Sequence, residues 1–242
     1  MSENTSKEIR STLTPEGFIE LSIATTKKPV PLEHEVLVKV EASPINPSDL
    51  GLLISFAADL DSLNTRGSGD NTLTSMRVHP ALMGTMKSRL NQAMPVGNEG
   101  AGVIEASGSN STTLIGKLVG VAGGSMYSQF RCVPAHNCLI MNDDTLATEA
   151  ASSFVNPLTV LAFVETMRME NHHALLNTAA ASNLGKMLIK VCMDDAIPLV
   201  NIVRTDEQVK TLKELGAEYE LNSSDQNFMR NLIEALTVTG AT

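Results

Sequence analysis

Residues 173–186 read HALLNTAAASNLGK, and this stretch decides the fold. An apolar run is followed by a turn of small residues, after which apolar residues recur at helical spacing. Open parallel sheets flanked by helices hold the diphosphate of a dinucleotide at such a turn, because small residues let the backbone approach and the free N–H groups of the helix face the anion. The residues expected to bind the cofactor here are Ala180, Ala181, Ser182, Asn183, Leu184 and Gly185.

The turn does not reproduce the G-x-G-x-x-G pattern of dinucleotide-binding folds. Ala and Ser stand at the earlier glycine positions, and only Gly185 matches, where helix and strand are expected to pack closely. Small residues at a tight strand–helix turn also occur for packing alone. The turn by itself therefore leaves both interpretations open.

Arg204 ends the next predicted strand, 19 positions after Gly185 (204 − 185). A carboxylate at this point would favour the ribose 2′-hydroxyl of NAD, whereas an arginine favours a 2′-phosphate through charge-assisted hydrogen bonds. An exposed arginine at a strand end is the alternative. Because the spacing of the two features fits one β-α-β unit, together they predict NADP(H) as the cofactor.

The sequence after Glu170 alternates between strands and helices, which predicts parallel strands with right-handed crossovers. The strands are predicted at 173–179, 198–204 and 218–221, and the helices at 183–193, 206–215 and 225–237. A longer helix is predicted over 148–169, capped by Thr145 or Thr148. We expect this half, residues 150–242, to be the N-terminal part of a dinucleotide-binding domain.

The sequence pattern of the first half predicts β-strands. Strands are predicted at 18–23, 35–42, 96–108, 117–121 and 127–133, with glycine turns between several of them. Residues 43–50 predict a turn that opens a short helix, and the polar segment 55–94 predicts a long loop or lobe with one helix near 80–90. The predicted fold class is α/β: a β-barrel domain over 1–149, with the 55–94 insert, followed by an incomplete parallel-sheet domain.

Composition excludes several classes of partner. The chain has 242 residues, of which 43% are hydrophobic, so it can bury a core, and its formal net charge of −9 argues against nucleic acid. No apolar stretch reaches the ~18 residues of a membrane span, and the N-terminus lacks the apolar region of a secretory signal. The three cysteines, Cys132, Cys138 and Cys192, are expected to be free thiols. We therefore expect a cytoplasmic protein that binds neither nucleic acid nor membrane.

Four stretches together resemble the medium-chain dehydrogenase/reductase superfamily, in particular its zinc-free NADPH:quinone oxidoreductases and its mitochondrial-type 2-enoyl thioester reductases. They are EASPINPSD at 41–49, VGNEGAGV at 96–103, NPLT at 156–159, and the 180–185 turn with Arg204. The resemblance implies a GroES-like β domain followed by a Rossmann domain, with the active site in the cleft between them.

The resemblance also implies roles for individual residues. Asn46 is expected near the nicotinamide and the acceptor, Thr159 near the nicotinamide, and Asn156 at the cofactor. Tyr127 is expected close to the cofactor cleft, where it would assist catalysis; a tyrosine of the β-barrel core is its alternative. For Asn46 the alternative is an Asx-turn or a helix cap.

The ligands of the superfamily's zinc branch are missing. The 43–49 loop has no cysteine, and Asn98 stands in place of the histidine that precedes Glu99 in that branch. We therefore expect no metal, and a structural hydrogen-bonding role for Glu99. Without a metal, direct hydride transfer suits a quinone or an activated alkene as a small electrophilic acceptor. The family's enoyl reductases use a tyrosine in the insert, which is absent here, so the quinone is favoured over the 2-enoyl thioester.

The sequence stops where the superfamily places its fourth Rossmann strand. We therefore expect a fragment or a naturally shortened paralogue that encodes the adenosine half of the cofactor site and not the whole nicotinamide half. The first parallel strand would then lie at a sheet edge. This raises a different class of function: a non-catalytic protein that binds nucleotide or a partner and self-associates through that edge.

Overall fold

The computed structural model describes residues 4–55 and 58–241. Residues 1–3 of the N-terminal stretch, residues 56–57 of the predicted insert and Thr242 lie outside this part of the chain. The chain divides into two compact units between Val155 and Asn156.

The first unit contains two antiparallel sheets, each with five strands in the described residues. In chain order the strands are β1 Thr5–Leu13, β2 Phe18–Lys27, β3 Glu35–Ala42, β4 Ala58–Arg66, β5 Leu73–Val78, β6 Met94–Pro95, β7 Glu99–Ser107, β8 Leu118–Ala122, β9 Phe130–Pro134 and β10 Cys138–Ile140. The first sheet has the order β4-β5-β2-β1-β6 and the second the order β10-β8-β7-β3-β9.

Residues 127–129 join the two sheets. The N–H of Ile9 in β1 donates to the carbonyl of Tyr127 (2.9 Å), and the N–H of Gln129 donates to the carbonyl of Lys7 (2.9 Å). The carbonyl of Gln129 in turn accepts from the N–H of Val40 in β3 (3.0 Å). This short segment therefore satisfies backbone groups of one strand from each sheet.

The predicted loop at 55–94 is wrong for most of its length. Its described residues form β4 and β5, which extend the first sheet beside β2, and then a 3-10 helix over Pro80–Arg89. Most side chains of β4 are exposed, as expected for a polar strand at the edge of a sheet. Such a strand has no apolar face, so its sequence lacks the alternation of apolar and polar residues that predicts a strand. In β5 only Met76 and Val78 are buried, which leaves a short alternating signal.

The single helix predicted over 148–169 is also wrong. The structure has a short helix α2, Ala147–Ala150, and then a separate helix α3, Val155–Met169. Pro157 explains the break, because proline has no N–H to donate and is tolerated only in the first turn of a helix. Neither Thr145 nor Thr148 is the cap; the cap position of α2 is Leu146, whose N–H donates to Glu149 Oε2 (3.0 Å).

The second unit confirms the predicted alternation of strands and helices. The parallel strands are β11 Leu175–Asn177, β12 Leu199–Val203 and β13 Tyr219–Asn222, and the helices after α3 are α4 Asn183–Asp194, α5 Asp206–Glu214 and α6 Phe228–Thr239. The sheet order is β11-β12-β13. One face buries Leu188, Leu199, Val203 and their neighbours, and the other buries Ala174, Val200 and Ala235.

Within the described residues, β11 pairs with β12 alone and is therefore an edge strand, as predicted. The predicted fold class is confirmed: an antiparallel β-rich region precedes a short parallel sheet with helices. None of the described helices combines the length and the apolar character needed to cross a bilayer.

Candidate functional site

The turn between β11 and α4 presents the positive end of a helix. We call residues 179–185 the small-residue turn. Ser182 caps α4, and its Oγ accepts from the N–H of Gly185 (3.1 Å). The N–H groups of Asn183 and Leu184 have no acceptor among the described residues. Because the helix dipole adds partial positive charge at this end, these two donors can hold an anion.

Two of the predicted cofactor residues serve the packing of this turn. Ala180 is fully buried, and a Cβ added at Gly185 would lie 2.3 Å from the Ala180 carbonyl oxygen. Only glycine allows this close approach of helix to strand. Ala179, just before, has a left-handed φ of 54°, which for a non-glycine residue costs on the order of 1–3 kcal/mol. The backbone here is thus held in a defined, strained path that brings exposed Ser182 and Asn183 to the surface.

Arg204 follows β12 and is exposed. Its backbone is held by side chains: its N–H donates to Gln208 Oε1 (2.9 Å), and its carbonyl accepts from Ser224 Oγ (3.0 Å). No carboxylate among the residues that the structure describes forms an ion pair with the guanidinium. Because its backbone is fixed and its guanidinium has no carboxylate partner among the described residues, Arg204 is suited to bind an anion.

In the first unit, Asn46 belongs to a buried group with Asp49 and Glu99, which we call the carboxylate cluster. Asn46 precedes helix α1, Pro47–Leu53, and is only 6% exposed. Its Nδ2 donates to Glu99 Oε1 (2.7 Å). The amide nitrogen of Asn46 is thus engaged within the cluster, and the oxygen of the same amide is a hydrogen-bond acceptor.

Glu99 also holds the start of α3. Its Oε2 accepts from the N–H groups of Phe154 and Val155, both at 2.9 Å. The sequence predicted a hydrogen-bonding role for this residue, and the structure supplies three donors for it. Glu99 is 1% exposed, so these bonds replace water entirely.

Asp49 is a member of the cluster that sequence reasoning missed. Its Oδ2 accepts from the N–H of Asn46 and its Oδ1 from the N–H of Asn98, both at 2.8 Å. The signal was present, because Asn46-Pro47 followed by an acid at Asp49 is the spacing of a capped helix N-terminus. Asn46 therefore stands at a helix cap, the alternative left open above, while its side chain serves the cluster.

Tyr127 lies beside this cluster. Its hydroxyl donates to the carbonyl of Pro44 (2.8 Å). Burial raises the pKa of the phenol, and the carboxylates of Asp49 and Glu99 raise it further. Tyr127 therefore keeps its proton at neutral pH and holds the 43–49 loop as a donor.

A cavity of about 680 Å³ opens next to Tyr127 in the first unit. Ser43, Ile45 and Met126 line one part of it, and Thr72 and Thr74 of the insert line another. The insert thus contributes side chains to a pocket that also contains residues of the 43–49 loop.

The structure brings together Asn46 and Tyr127 in the first unit. Asn156 and Thr159 lie on the first turns of α3, in the second unit. The small-residue turn and Arg204 also belong to the second unit. The catalytic and cofactor roles of these residues stay predictions. Among residues 4–55 and 58–241, no group of three or more His, Cys, Asp or Glu is arranged to hold a metal ion.

Comparison with known proteins agrees with this architecture. No family model matches the chain. A mitochondrial enoyl-[acyl-carrier-protein] reductase of Caenorhabditis elegans is 30% identical over 199 residues, covering 78% of this chain and 48% of that protein. A quinone oxidoreductase of Pseudomonas aeruginosa is 25% identical over 143 residues, covering 57% of this chain and 44% of that protein. The chain thus spans about half the length of these curated relatives.

Solved structures share the fold. A candidate NADPH:quinone reductase from Mesorhizobium loti gives a TM-score of 0.72 at 24% identity, over all of this chain and 67% of that one. The mycobacterial protein Rv1454c, solved in complex with NADPH, gives 0.67 at 21% identity, over 98% of this chain and 64% of that one.

In fold and in sequence the chain is therefore similar to quinone oxidoreductases and enoyl reductases, the two groups of the medium-chain dehydrogenase/reductase superfamily that its motifs resemble.

Proposed function

We propose that this protein is a zinc-independent, NADPH-dependent oxidoreductase that transfers hydride to a quinone or an activated alkene. The observation that carries the proposal is Arg204, whose backbone is fixed and whose guanidinium forms no ion pair within residues 4–55 and 58–241, one β-α-β step from the small-residue turn. Together they offer one cationic group for a 2′-phosphate and two free N–H groups for a diphosphate.

NADPH fits the residues present in the second unit. Asn183 and Leu184 would bind the diphosphate through their backbone N–H groups, and Arg204 would bind the 2′-phosphate. When bound, the nicotinamide supplies the hydride. The chain's own contribution is to orient the cofactor, and the close approach at Gly185 sets where the diphosphate can sit.

In the first unit, the carboxylate cluster would hold Asn46 for the acceptor. Glu99 fixes the amide nitrogen of Asn46, and the oxygen of that amide would accept a hydrogen bond from the bound molecules. Asn98, which stands where the zinc branch has histidine, instead donates from Nδ2 to Ser48 Oγ (3.2 Å). This arrangement supports hydride transfer to an acceptor that stabilises the added charge itself.

A titration of the protein with NADPH and NADH tests the proposal. Replacing Arg204 with alanine should weaken NADPH binding about tenfold or more, because a hydrogen-bonded charge pair is lost, and should leave NADH binding nearly unchanged. Arg230→Ala, an exposed arginine on α6, is the matched control. Equal loss of both nucleotides in Arg204→Ala would reject the 2′-phosphate role.

Reduction of a 2-enoyl thioester is the second candidate, favoured by the match to a mitochondrial enoyl reductase. Turnover of NADPH with a short quinone and with a 2-enoyl thioester, measured side by side, separates the two. A faster thioester reaction would place the protein with the enoyl reductases in function.

A non-catalytic role is the third candidate, favoured by the edge strand β11, where Leu176 is 42% exposed. It predicts self-association through that edge. A monomer by light scattering that oxidises NADPH with a quinone would eliminate it. A reducing, cytoplasmic location suits all three candidates, since Cys132, Cys138 and Cys192 are free thiols.

A further inference from the structure

A second polar contact lies directly beside Arg204. Asn222 ends β13 and stands opposite Val203, the residue before Arg204, in the register of the parallel pair. Its Nδ2 donates to Asp206 Oδ1 (2.8 Å). Asp206 is the first residue of helix α5, two positions after Arg204.

The segment after β13 is fixed in place around this contact. Asn222 Oδ1 accepts from the N–H of Ser224 (2.9 Å), and Ser224 Oγ donates to the Arg204 carbonyl (3.0 Å). The N–H of Ser223 donates to the carbonyl of Val203 (2.8 Å). The amide of Asn222 is therefore held at its oxygen while its nitrogen holds Asp206.

The acidic residues next to Arg204 make the contact between Asn222 and Asp206 significant. Asp206 and Glu207 follow Arg204 within three residues, in a chain with a formal net charge of −9, yet neither pairs with the guanidinium. A free Asp206 carboxylate would compete with a 2′-phosphate for Arg204 and repel the phosphate, whereas it would not disfavour a 2′-hydroxyl.

We infer that Asn222 is a specificity-determining residue for the nucleotide: by holding the Asp206 carboxylate it keeps Arg204 available for a 2′-phosphate. The inference rests on the proposed NADPH-dependent function and deepens it. Asn222 acts through Asp206 and Arg204 and is a positioning residue.

The experiment measures dissociation constants for NADPH and NADH by fluorescence titration. Asn222→Asp keeps an acceptor for the Ser224 N–H but sets a second carboxylate against Asp206, which must then turn away. NADPH binding should weaken about tenfold, with NADH unchanged, as expected for the loss of a charge-assisted hydrogen bond. Adding Asp206→Asn to Asn222→Asp should restore NADPH binding.

Three outcomes overturn the inference, and they differ in what else they reject. Unchanged dissociation constants for both nucleotides in Asn222→Asp, with wild-type protein preferring NADPH, overturn the inference and leave the proposed function standing. Equal weakening of both nucleotides assigns Asn222 a purely structural role. No response of the wild-type protein to NADPH rejects the proposed function together with the inference.

The single variant Asp206→Asn tests the same claim from the other side, should Asn222→Asp fail to fold by thermal unfolding. Because Asp206 is inferred to be held away from the phosphate, its neutralisation should leave NADPH binding unchanged or tighter. Weaker NADPH binding in Asp206→Asn would make its carboxylate a ligand contact and would overturn the inference.

Discussion

The two polar regions of this protein are built in opposite ways. In the carboxylate cluster, the carboxylate oxygens of Asp49 and Glu99 all accept hydrogen bonds from protein N–H groups, and both residues are almost fully buried. At the small-residue turn and Arg204, two backbone donors and a guanidinium charge lack a partner among the described residues. A satisfied, buried network holds structure, whereas an exposed set of unpaired positive groups is where a ligand anion can bind.

This contrast predicts that stability and nucleotide binding can be separated by mutation. Breaking the carboxylate cluster should cost stability, because buried polar groups would be left without hydrogen-bond partners. Removing an exposed cation should cost binding and little stability, since surface groups contribute little to folding.

The largest expected effect is that of Glu99→Ala. Three N–H donors lose their acceptor, which should lower the free energy of unfolding by on the order of 3 kcal/mol. Urea denaturation measures it. The matched control on the same strand is Glu105→Ala, whose exposed carboxylate pairs with Lys28 and should contribute about 1 kcal/mol or less. An equal decrease in the free energy of unfolding in Glu99→Ala and Glu105→Ala would contradict the stabilising role assigned to the carboxylate cluster.

The second-largest effect is expected for Gly185→Ala, which should lower both stability and nucleotide binding. The added Cβ would meet the Ala180 carbonyl oxygen at 2.3 Å, so overpacking should cost about 1–3 kcal/mol of stability and shift the turn. NADPH binding should weaken as well. Gly84→Ala, where a Cβ meets nothing within 4 Å, is the control. Unchanged stability in Gly185→Ala would contradict the close approach of helix to strand.

The smallest effect is expected at Ser182, the cap of α4. Ser182→Ala should cost about 1 kcal/mol in urea denaturation, because the Gly185 N–H loses its acceptor. Ser182→Asp sharpens the comparison: aspartate also caps a helix, so stability should be kept, but its charge should repel the diphosphate and weaken NADPH. Tight NADPH binding by Ser182→Asp would place the diphosphate elsewhere.

The sequence predicted the second unit better than the first for a physical reason. Its strands and helices are decided by local periodicity, and its contacts around Arg204 span at most 20 residues. The contacts of Glu99 with Asn46 and with Val155 join residues 53 and 56 positions apart, and no local pattern encodes them. Pro157 is the local reason for the break between α2 and α3, and the contacts of Glu99 with Phe154 and Val155 add a long-range one.

Strand β4 was missed because an edge strand with exposed faces carries little apolar alternation, and β5, which lies between β4 and β2, was missed because it buries only Met76 and Val78. For the candidate site, the nucleotide turn and Arg204 could be predicted from residue type and spacing. The cap spacing could have identified Asp49 as a partner of the Asn46 N–H, but its contact with Asn98 and the contact of Asn222 with Asp206 depend on neighbours that only the fold supplies.

The long separations that meet at Glu99 have a consequence for the order of folding. Closing a chain segment costs entropy that grows with its length, by about 0.6 kcal/mol for each doubling. The Asn46–Glu99 contact encloses the whole 55–94 insert, whereas the cap at Ser182 closes over three residues. Because this entropy is lost before the contact forms, non-local contacts of this kind slow folding. During synthesis, Glu99 must therefore wait for Phe154 and Val155 to leave the ribosome before its side chain is fully bonded.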